Sequence, residues 1–459
     1  MLVLPPELLE LVLGHLGKLA DFPGPERSTI RSLTLTCSFL RSIAQPILFS
    51  VVRIGDTTKR DDHRVAEIRS LFQSRPESAQ WIRRLYINIY NSQSTPGNMM
   101  RIDMTALARN LEMLFLDMTR LQVVDIRNTR ITSAMHTHLW ALARGPLREL
   151  RCQEIEVDDI LGNMPPAPEL RIEVFGLDFP SSKPHAPIAE MIHSPRLRRL
   201  QFSWTALASV FQTCNLSDRT TPTTVLSELQ YLELPSYYSM EREEYFSFLA
   251  CCPKLRTLVI PNLYSLPPSV SVPLPTHAIS QLFPSLSEYA GPLELCRLLC
   301  PGRPIRAIKL PRGRRPSITR EDMAALAQGT VPLEALELVL TDLEETTFSD
   351  LVEFFPKLKG LDIRFDRMPS CAELERDLER FMHGMHRLQT LNLTGFDEIS
   401  WNNVDAAAEL DLLTKTHAAG PSLKFVSLPR EAFWEYRDGL WSHDDEALTT
   451  FDVFPVPLL

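Results

Sequence analysis

The chain has 459 residues, 44% of them hydrophobic, and a formal net charge of −9. That balance leaves no global electrostatic footprint for nucleic acid or an anionic membrane surface. Proline outnumbers glycine 36 to 17, which suits many chain corners and few phosphate-cradling loops.

Leu4-Pro5-Pro6-Glu7-Leu8-Leu9-Glu10-Leu11-Val12-Leu13-Gly14-His15-Leu16 opens as a helix, with proline in its first turn and Glu7 near its positive end. Leu9, Leu13 and Leu16 fall on one side and Leu8, Leu11 and Val12 on another, more apolar surface than one packing partner covers. This stretch is no signal peptide: it lacks a basic leader and is broken by Pro5, Glu7 and Glu10. No apolar run approaches the roughly 18 residues of a membrane span, and the scattered cysteines read as reduced, buried thiols, so a cytoplasmic or nuclear location is expected.

Gly17 to Pro25 is a loop, and Ser28 is expected to cap a helix bearing Ile30, Leu33, Leu35 and Cys37. Ser38 to Ala44 adds Phe39, Leu40 and Ile43, Pro46 is expected to stop the helix, and Ile47 to Ile54 reads as an extended run. Residues 1–54 therefore form a three-helix unit too small to bury a large core alone. Residues 55–80 supply a charged link, Asp56 to Arg64, and a leading helix, His63 to Phe72, before Trp81.

From residue 81 to about 430 one pattern returns: Leu-x-x-Leu-x-Leu. Clean copies are Leu229-Gln230-Tyr231-Leu232-Glu233-Leu234, Leu255-Arg256-Thr257-Leu258-Val259-Ile260 and Leu388-Gln389-Thr390-Leu391-Asn392-Leu393. Copies begin at Ile82, Leu121, Leu147, Ile172, Leu197, Leu229, Leu255, Leu286, Ile305, Leu333, Leu358, Leu388 and Leu423. Most gaps sit near the roughly 20–29 residues of a leucine-rich repeat. The alternating tail makes a short strand with two side chains facing inward. One unit cannot cover its own apolar face; stacked neighbours can. Pro195, Pro253, Pro284, Pro304, Pro332, Pro356 and Pro421 precede copies and suit the helix-to-strand corner. The weakest copies are Ile172, Leu147 (Cys152 at the last position) and Leu286 (Tyr289 and Gly291 at the inner positions). The expected fold is α/β: a leucine-rich-repeat solenoid, a horseshoe with parallel strands on the concave face and helices outside. Excursions are expected at Asn91–Asn98, Thr213–Thr224, Ser236–Phe246, Tyr264–His277 and Asp397–Leu410.

Within each Leu-x-Leu the middle residue faces away from the core. Those residues include Tyr86, Asp125, Arg151, Gln201, Glu233, Lys309, Glu337, Asp362 and Asn392, and neighbouring outward positions add Arg84, Arg127, Arg199 and Arg364. Taken singly, most are ordinary solvated strand positions. Together, Arg84, Arg127, Arg151 and Arg199 offer a surface for an acidic or phosphorylated segment. Glu337 and Asp362 lie beside Lys309 and Arg364. Residues 431–459 hold no further copy. They carry Phe433, Trp434, Tyr436, Trp441, Phe451 and Phe454 with seven acids against Arg437, and are either a C-terminal cap or an acidic aromatic tail that binds a partner.

Chemistry-bearing motifs are absent. No Gly-rich phosphate loop, HExxH or GxSxG occurs. His383 and His386 sit three apart, on one face if helical, with no third ligand evident, so no metal and no cofactor is expected. The eight cysteines suggest neither a disulfide framework nor a zinc ribbon. Arg312-Gly313-Arg314-Arg315 is the one compact basic run, read as a solvated loop. The chain is therefore not expected to be an enzyme.

Leu4-Pro5-x-Glu7-Leu8-Leu9 with Val12-Leu13-x-x-Leu16 resembles the opening of an F-box, and Leu35-Thr36-Cys37-Ser38-Phe39-Leu40-Arg41-Ser42-Ile43-Ala44 resembles its second half. Gln45 to Val52 is similar to the junction found in fungal F-box proteins. Two departures are a lengthened loop around Pro23–Pro25 and Phe39 where the family often has Trp. The resemblance implies a substrate receptor of an SCF-type ubiquitin ligase, bound to a Skp-type adaptor and through it to a cullin scaffold, with a target protein held by the repeats. Carried onto this chain, the adaptor-facing residues are Leu4, Pro5, Leu8, Leu9, Val12, Leu13, Leu16, Leu33, Cys37 and Leu40. The alternative is a binding scaffold with no ubiquitin link, whose N-terminal helices only cap the array.

Overall fold

The computed structural model describes residues 25–55, 61–88, 104–157, 170–178, 190–202, 226–234, 248–260, 282–310, 318–341, 346–395, 401, 404–429 and 433–443. Leu4, Pro5, Leu8, Leu9, Val12, Leu13 and Leu16 lie outside these residues, as do the excursions at Asn91–Asn98, Thr213–Thr224, Ser236–Phe246 and Tyr264–His277 and the Arg312–Arg315 run. Contacts divide the chain into two units, Met1–Leu226 and Ser227–Leu459.

The first unit begins with α1 (Pro25–Thr36) and α2 (Ser38–Leu48). Pro25, rather than Ser28, starts α1; a proline needs no donor in a first turn. Cys37 is the hinge between the helices and caps α2, its Sγ accepting from the Leu40 N–H at 3.4 Å. Pro46 does not stop α2. The Phe49 N–H still reaches the Gln45 carbonyl at 3.0 Å, so the proline removes one donor without ending the turn. The pair packs on a small core of Ile30 and Ala44, with Leu33, Ile43, Ile47 and Leu48 against it.

Next come β1 (Val51–Ile54), α3 (Asp61–Ser74), a 3₁₀ turn at Pro76–Trp81, β2 (Arg84–Asn88), α4 (Met104–Asp117), β3 (Val123–Arg127), β4 (Arg130–Ile131) and α5 (Ser133–Arg144). They are followed by β5 (Glu149–Gln153), β6 (Glu156–Val157), β7 (Val174–Asp178) and β8 (Arg199–Phe202). Strands β1, β2, β3, β5, β7 and β8 are parallel neighbours in that order, and β4 pairs with β6 separately. Strand β1 lacks the leucine template. It joins because Val52 and Ile54 bury beside Leu85 and Ile87 of β2. Gly55 closes it at φ +103°, where a Cβ would lie 1.7 Å from the Asn88 carbonyl oxygen; no other residue fits there.

The second unit contains β9 (Tyr231–Glu233), β10 (Thr257–Val259), β11 (Glu288–Ala290), α6 (Leu293–Leu299), β12 (Ala307–Lys309), α7 (Arg320–Leu326), β13 (Ala335–Leu340), α8 (Thr347–Phe354) and β14 (Gly360–Phe365). Then follow α9 (Cys371–Gly384), β15 (Thr390–Gly395), α10 (Ala406–Ala419), β16 (Phe425–Ser427), β17 (Phe433–Arg437) and β18 (Leu440–His443). Strands β9 to β16 are parallel in chain order. Helix starts follow the capping chemistry: Thr319 with Asp322 and Ser370 with Glu373 form capping boxes, and Asp405 caps α10. The expected excursion at Asp397–Leu410 contains the start of α10 instead. His386 lies beyond the end of α9, so it does not share a helical face with His383.

Each of the thirteen expected copies carries a strand starting two residues after its first apolar residue, and all thirteen first residues are buried. The alternate apolar positions stack in register: Leu232, Leu258, Tyr289, Ile308, Leu336, Leu361, Leu391 and Val426 form one ladder in the second unit. Burying one such leucine contributes about 1.5–3 kcal/mol. The degenerate copy at Leu286 is filled by exchange. Gly291 leaves a gap, and the buried Tyr289 hydroxyl enters it, donating to the Pro292 carbonyl at 2.9 Å.

Strands β17 and β18 form an antiparallel hairpin on β16. Asp438 and Gly439 both have positive φ, 53° and 88°, the two-residue turn that matches strand twist. Phe433 and Trp434 are buried, and the Trp434 Nε1–H donates to Glu409 of α10 at 3.1 Å. Phe433, Trp434, Tyr436 and Trp441 thus lie in strands that extend the sheet; Phe451 and Phe454 lie outside the described residues.

Candidate binding surface on the polar face of the repeats

The outward residues of the strands form ladders of their own, because parallel in-register pairing places equivalent side chains about 4.8 Å apart. In the first unit one ladder runs Arg53, Tyr86, Asp125, Arg151, Gly176 and Gln201. The Arg53 guanidinium lies 5.2 Å from the centre of the Tyr86 ring. Gly176 leaves room for the Arg151 stem, which would stand 3.3 Å from any added Cβ. The next ladder is Asn88, Arg127, Gln153 and Asp178.

Two of the expected arginines are engaged within their own strands. Arg127 makes a bidentate pair with the buried Asp125 at 2.9 and 2.8 Å, and Arg151 reaches Glu149 at 2.8 Å. Arg84 and Arg199 are half-buried at the start of β2 and β8. These four do not make the open cationic strip expected from sequence, since neighbours in the same sheet hold two of them.

In the second unit the equivalent ladder runs Glu233, Val259, Ala290, Lys309, Glu337, Asp362, Asn392 and Ser427. Glu233 accepts from the Tyr231 hydroxyl at 3.0 Å. Solvated positions were expected here, but Glu337 is 2% exposed, Asp362 3% and Asn392 9%. Lys309 Nζ meets Glu337 at 2.6 Å, Arg364 meets the other Glu337 oxygen at 3.1 Å, and Asn392 Nδ2 donates to Asp362 at 2.9 Å. Strands β13 to β15 run six residues each, so Asp362 has a long strand on both sides and Glu337 has one on its β14 side and the three-residue β12 on the other; Lys309 and Arg364 reach over Glu337. Burial, and then the neighbouring Glu337 carboxylate, push Asp362 up to about 6, against the opposing pull of Arg364, Asn392 and Lys309.

Of the adaptor-facing residues expected on α1 and α2, Leu33 packs on the helical pair's own core, Cys37 is the exposed cap and Leu40 is half-buried. The exposed apolar side chains there are Leu35, 74% exposed, and Phe39, 48% exposed. Periodicity alone could not separate these from Leu33, because the helices meet at an angle set by the Cys37 hinge.

Among the described residues, no three His, Cys, Asp or Glu side chains are grouped to hold a metal ion, and no helix is long and apolar enough to cross a membrane. No protein family and no curated protein matches the chain. Among solved structures, the chain is similar at 13% identity to one in the crystal structure of the Rad7 and Elc1 complex in yeast, with a TM-score of 0.39, covering 78% of this chain and 87% of that one. It is also similar at 13% identity to one in the TLR13–ssRNA13 complex, with a TM-score of 0.36, covering 70% of this chain and 41% of that one.

Proposed function

We propose that the chain is a protein-binding receptor subunit of a Skp–cullin–F-box type ubiquitin ligase. The N-terminal helices engage the Skp-type adaptor, and the repeat array holds a target protein. The observation that carries this reading is the α1–α2 pair. It bears the second half of the F-box-like sequence, buries among the described residues only Ile30 and Ala44 as its own apolar core, and leaves Leu35 and Phe39, four residues apart across the Cys37 hinge, exposed. Exposed apolar side chains on so small a unit mark a surface that another protein covers. Such a subunit performs no bond chemistry; its contribution is proximity of target to the charged ubiquitin enzyme.

Co-purification of the full chain with a Skp-type adaptor tests it. Leu9→Asp with Leu13→Asp is expected to abolish co-purification while the thermal melt of the repeats is unchanged. Retained binding counts against the adaptor assignment.

A scaffold with no ubiquitin link is the second reading. It is favoured by one observation: α2 runs within three residues into β1, the edge strand of the array, as a cap would. On that reading, removing residues 1–54 unfolds the array, whereas a separate adaptor module leaves a cooperative melt behind.

A further inference from the structure

The residue before each strand of the first unit is locked to its neighbour by backbone hydrogen bonds. The Arg83 carbonyl accepts from Gln122 and Val123, Gln122 from Arg148 and Glu149, Arg148 from Glu173 and Val174, and Glu173 from Arg198 and Arg199, all between 2.7 and 3.0 Å. These residues and those two positions earlier flank the buried first residue of each copy, so both face outward at the edge where strands begin. The edge carries Arg83, Arg120, Arg148, Arg171, Arg196 and Arg198 against one acid, Glu173. Every one of the five rungs from β2 to β8 thus presents at least one arginine.

Arg120, Arg171, Arg196 and Arg198 are exposed, and among the described residues none has a carboxylate within ion-pair reach. Arg83 and Arg148 are half-buried and donate to backbone carbonyls, Gln80 and Gly145 respectively. Arg148 lies 3.8 Å from Glu173, the one acid of the row. Burial, and then the Arg120 guanidinium beside it, hold Arg83 below its ordinary pKa. The edge is cationic although the chain's net charge is −9.

We propose that this arginine row is a docking rail for an extended acidic segment of a partner protein. The rail rests on the reading of the array as the target-holding part, and not on the adaptor assignment. Rungs lie about 4.8 Å apart, and alternate side chains of an extended peptide about 6.7 Å apart, a mismatch that long arginine stems absorb. Each guanidinium takes a carboxylate bidentately. A single exposed pair is weak, so the affinity comes from the row acting together. An acidic peptide fits better than single-stranded nucleic acid, because only Trp81 among the edge residues offers a ring for base stacking.

The test is a fluorescence-anisotropy titration of the full chain against a dye-labelled oligoglutamate of about a dozen residues, long enough to span five rungs. Oligoglutamine and oligothymidine of similar length are the comparison probes. Oligoglutamate is expected to bind, more weakly as salt rises, while oligoglutamine does not. The triple variant Arg120→Glu, Arg171→Glu, Arg198→Glu is expected to weaken binding about tenfold or more, and Arg151→Ala to leave it within about twofold. Circular dichroism monitors folding; if the triple Glu variant is misfolded, the triple Gln variant replaces it and is expected to weaken binding several-fold. Unchanged affinity in a folded triple variant, or oligothymidine binding as tightly as oligoglutamate, overturns the proposal. Neither adaptor nor target is present, so such a result leaves the adaptor co-purification standing or failing on its own.

Discussion

The two units use the same repeat grammar and place charge differently. In the first, outward acids and arginines pair within one strand, as Arg127 does with Asp125 and Arg151 with Glu149, and the strand-start edge keeps exposed arginines without carboxylate partners. In the second, charges pair across strands: Lys309 and Arg364 both reach Glu337, and at the strand-start edge Lys254 pairs with Glu228 and Lys359 with Glu334, while Arg256, Lys357, Arg387 and Lys424 stand exposed. The same parallel register thus gives one polar face whose buried charges close across strands and one whose ion pairs stay within a strand. The difference lies in which residue types stand opposite one another on successive rungs.

Removing one side of the cross-strand network should have the largest effect. Arg364→Ala leaves Glu337 and Asp362 buried side by side with one cation fewer, at an expected cost of about 2–4 kcal/mol in urea unfolding. A loss no larger than that of Arg151→Ala would erase the contrast between the units.

The pH dependence follows from Asp362. Its folded pKa, about 6, is raised above the ordinary carboxylate value, so the folded state binds its proton more tightly than the unfolded state does. The associated stability is complete below about pH 4 and is lost as pH rises through about 6. Asp362→Asn is expected to remove about 1–3 kcal/mol of that slope between those pH values. An unfolding midpoint whose pH profile is the same in both proteins would contradict the assignment.

Asn392→Ala takes away the donor to Asp362 and should cost about 1–2 kcal/mol, read from the same unfolding curves. Smallest of all, Arg151→Ala in the first unit should cost under about 1 kcal/mol, because its partner Glu149 is partly solvated.

Much of the architecture was legible because it is local. The apolar residues at Leu255, Leu258 and Ile260 and their twelve counterparts define strands through spacing alone, and each copy repeats the signal. What escaped depends on neighbours distant in sequence. Ile47 to Ile54 was expected to be extended, but only Val51–Ile54 is a strand, and its place beside β2 comes from Val52 and Ile54 meeting Leu85 and Ile87, not from any leucine template. Pro46 looks like a stop until the Gln45 carbonyl is seen to find Phe49. Glu337 and Asp362 look solvated until the neighbouring strands and the Lys309 and Arg364 side chains close over them. The hairpin at Asp438-Gly439 was legible in principle, as a dipeptide turn between aromatic runs. The arginine edge was missed because its successive rungs lie 23 to 37 residues apart and align only once they are stacked.

The central claim is that the chain attaches through its N-terminal helices and binds through its repeats. Titration of the purified full chain with a purified Skp-type adaptor, followed by calorimetry, tests it most directly. The account predicts a one-to-one complex that is lost in Leu35→Asp with Phe39→Asp while the unfolding midpoint stays within about 2 °C. An undiminished complex in that variant, or no complex with the unaltered chain, would contradict it.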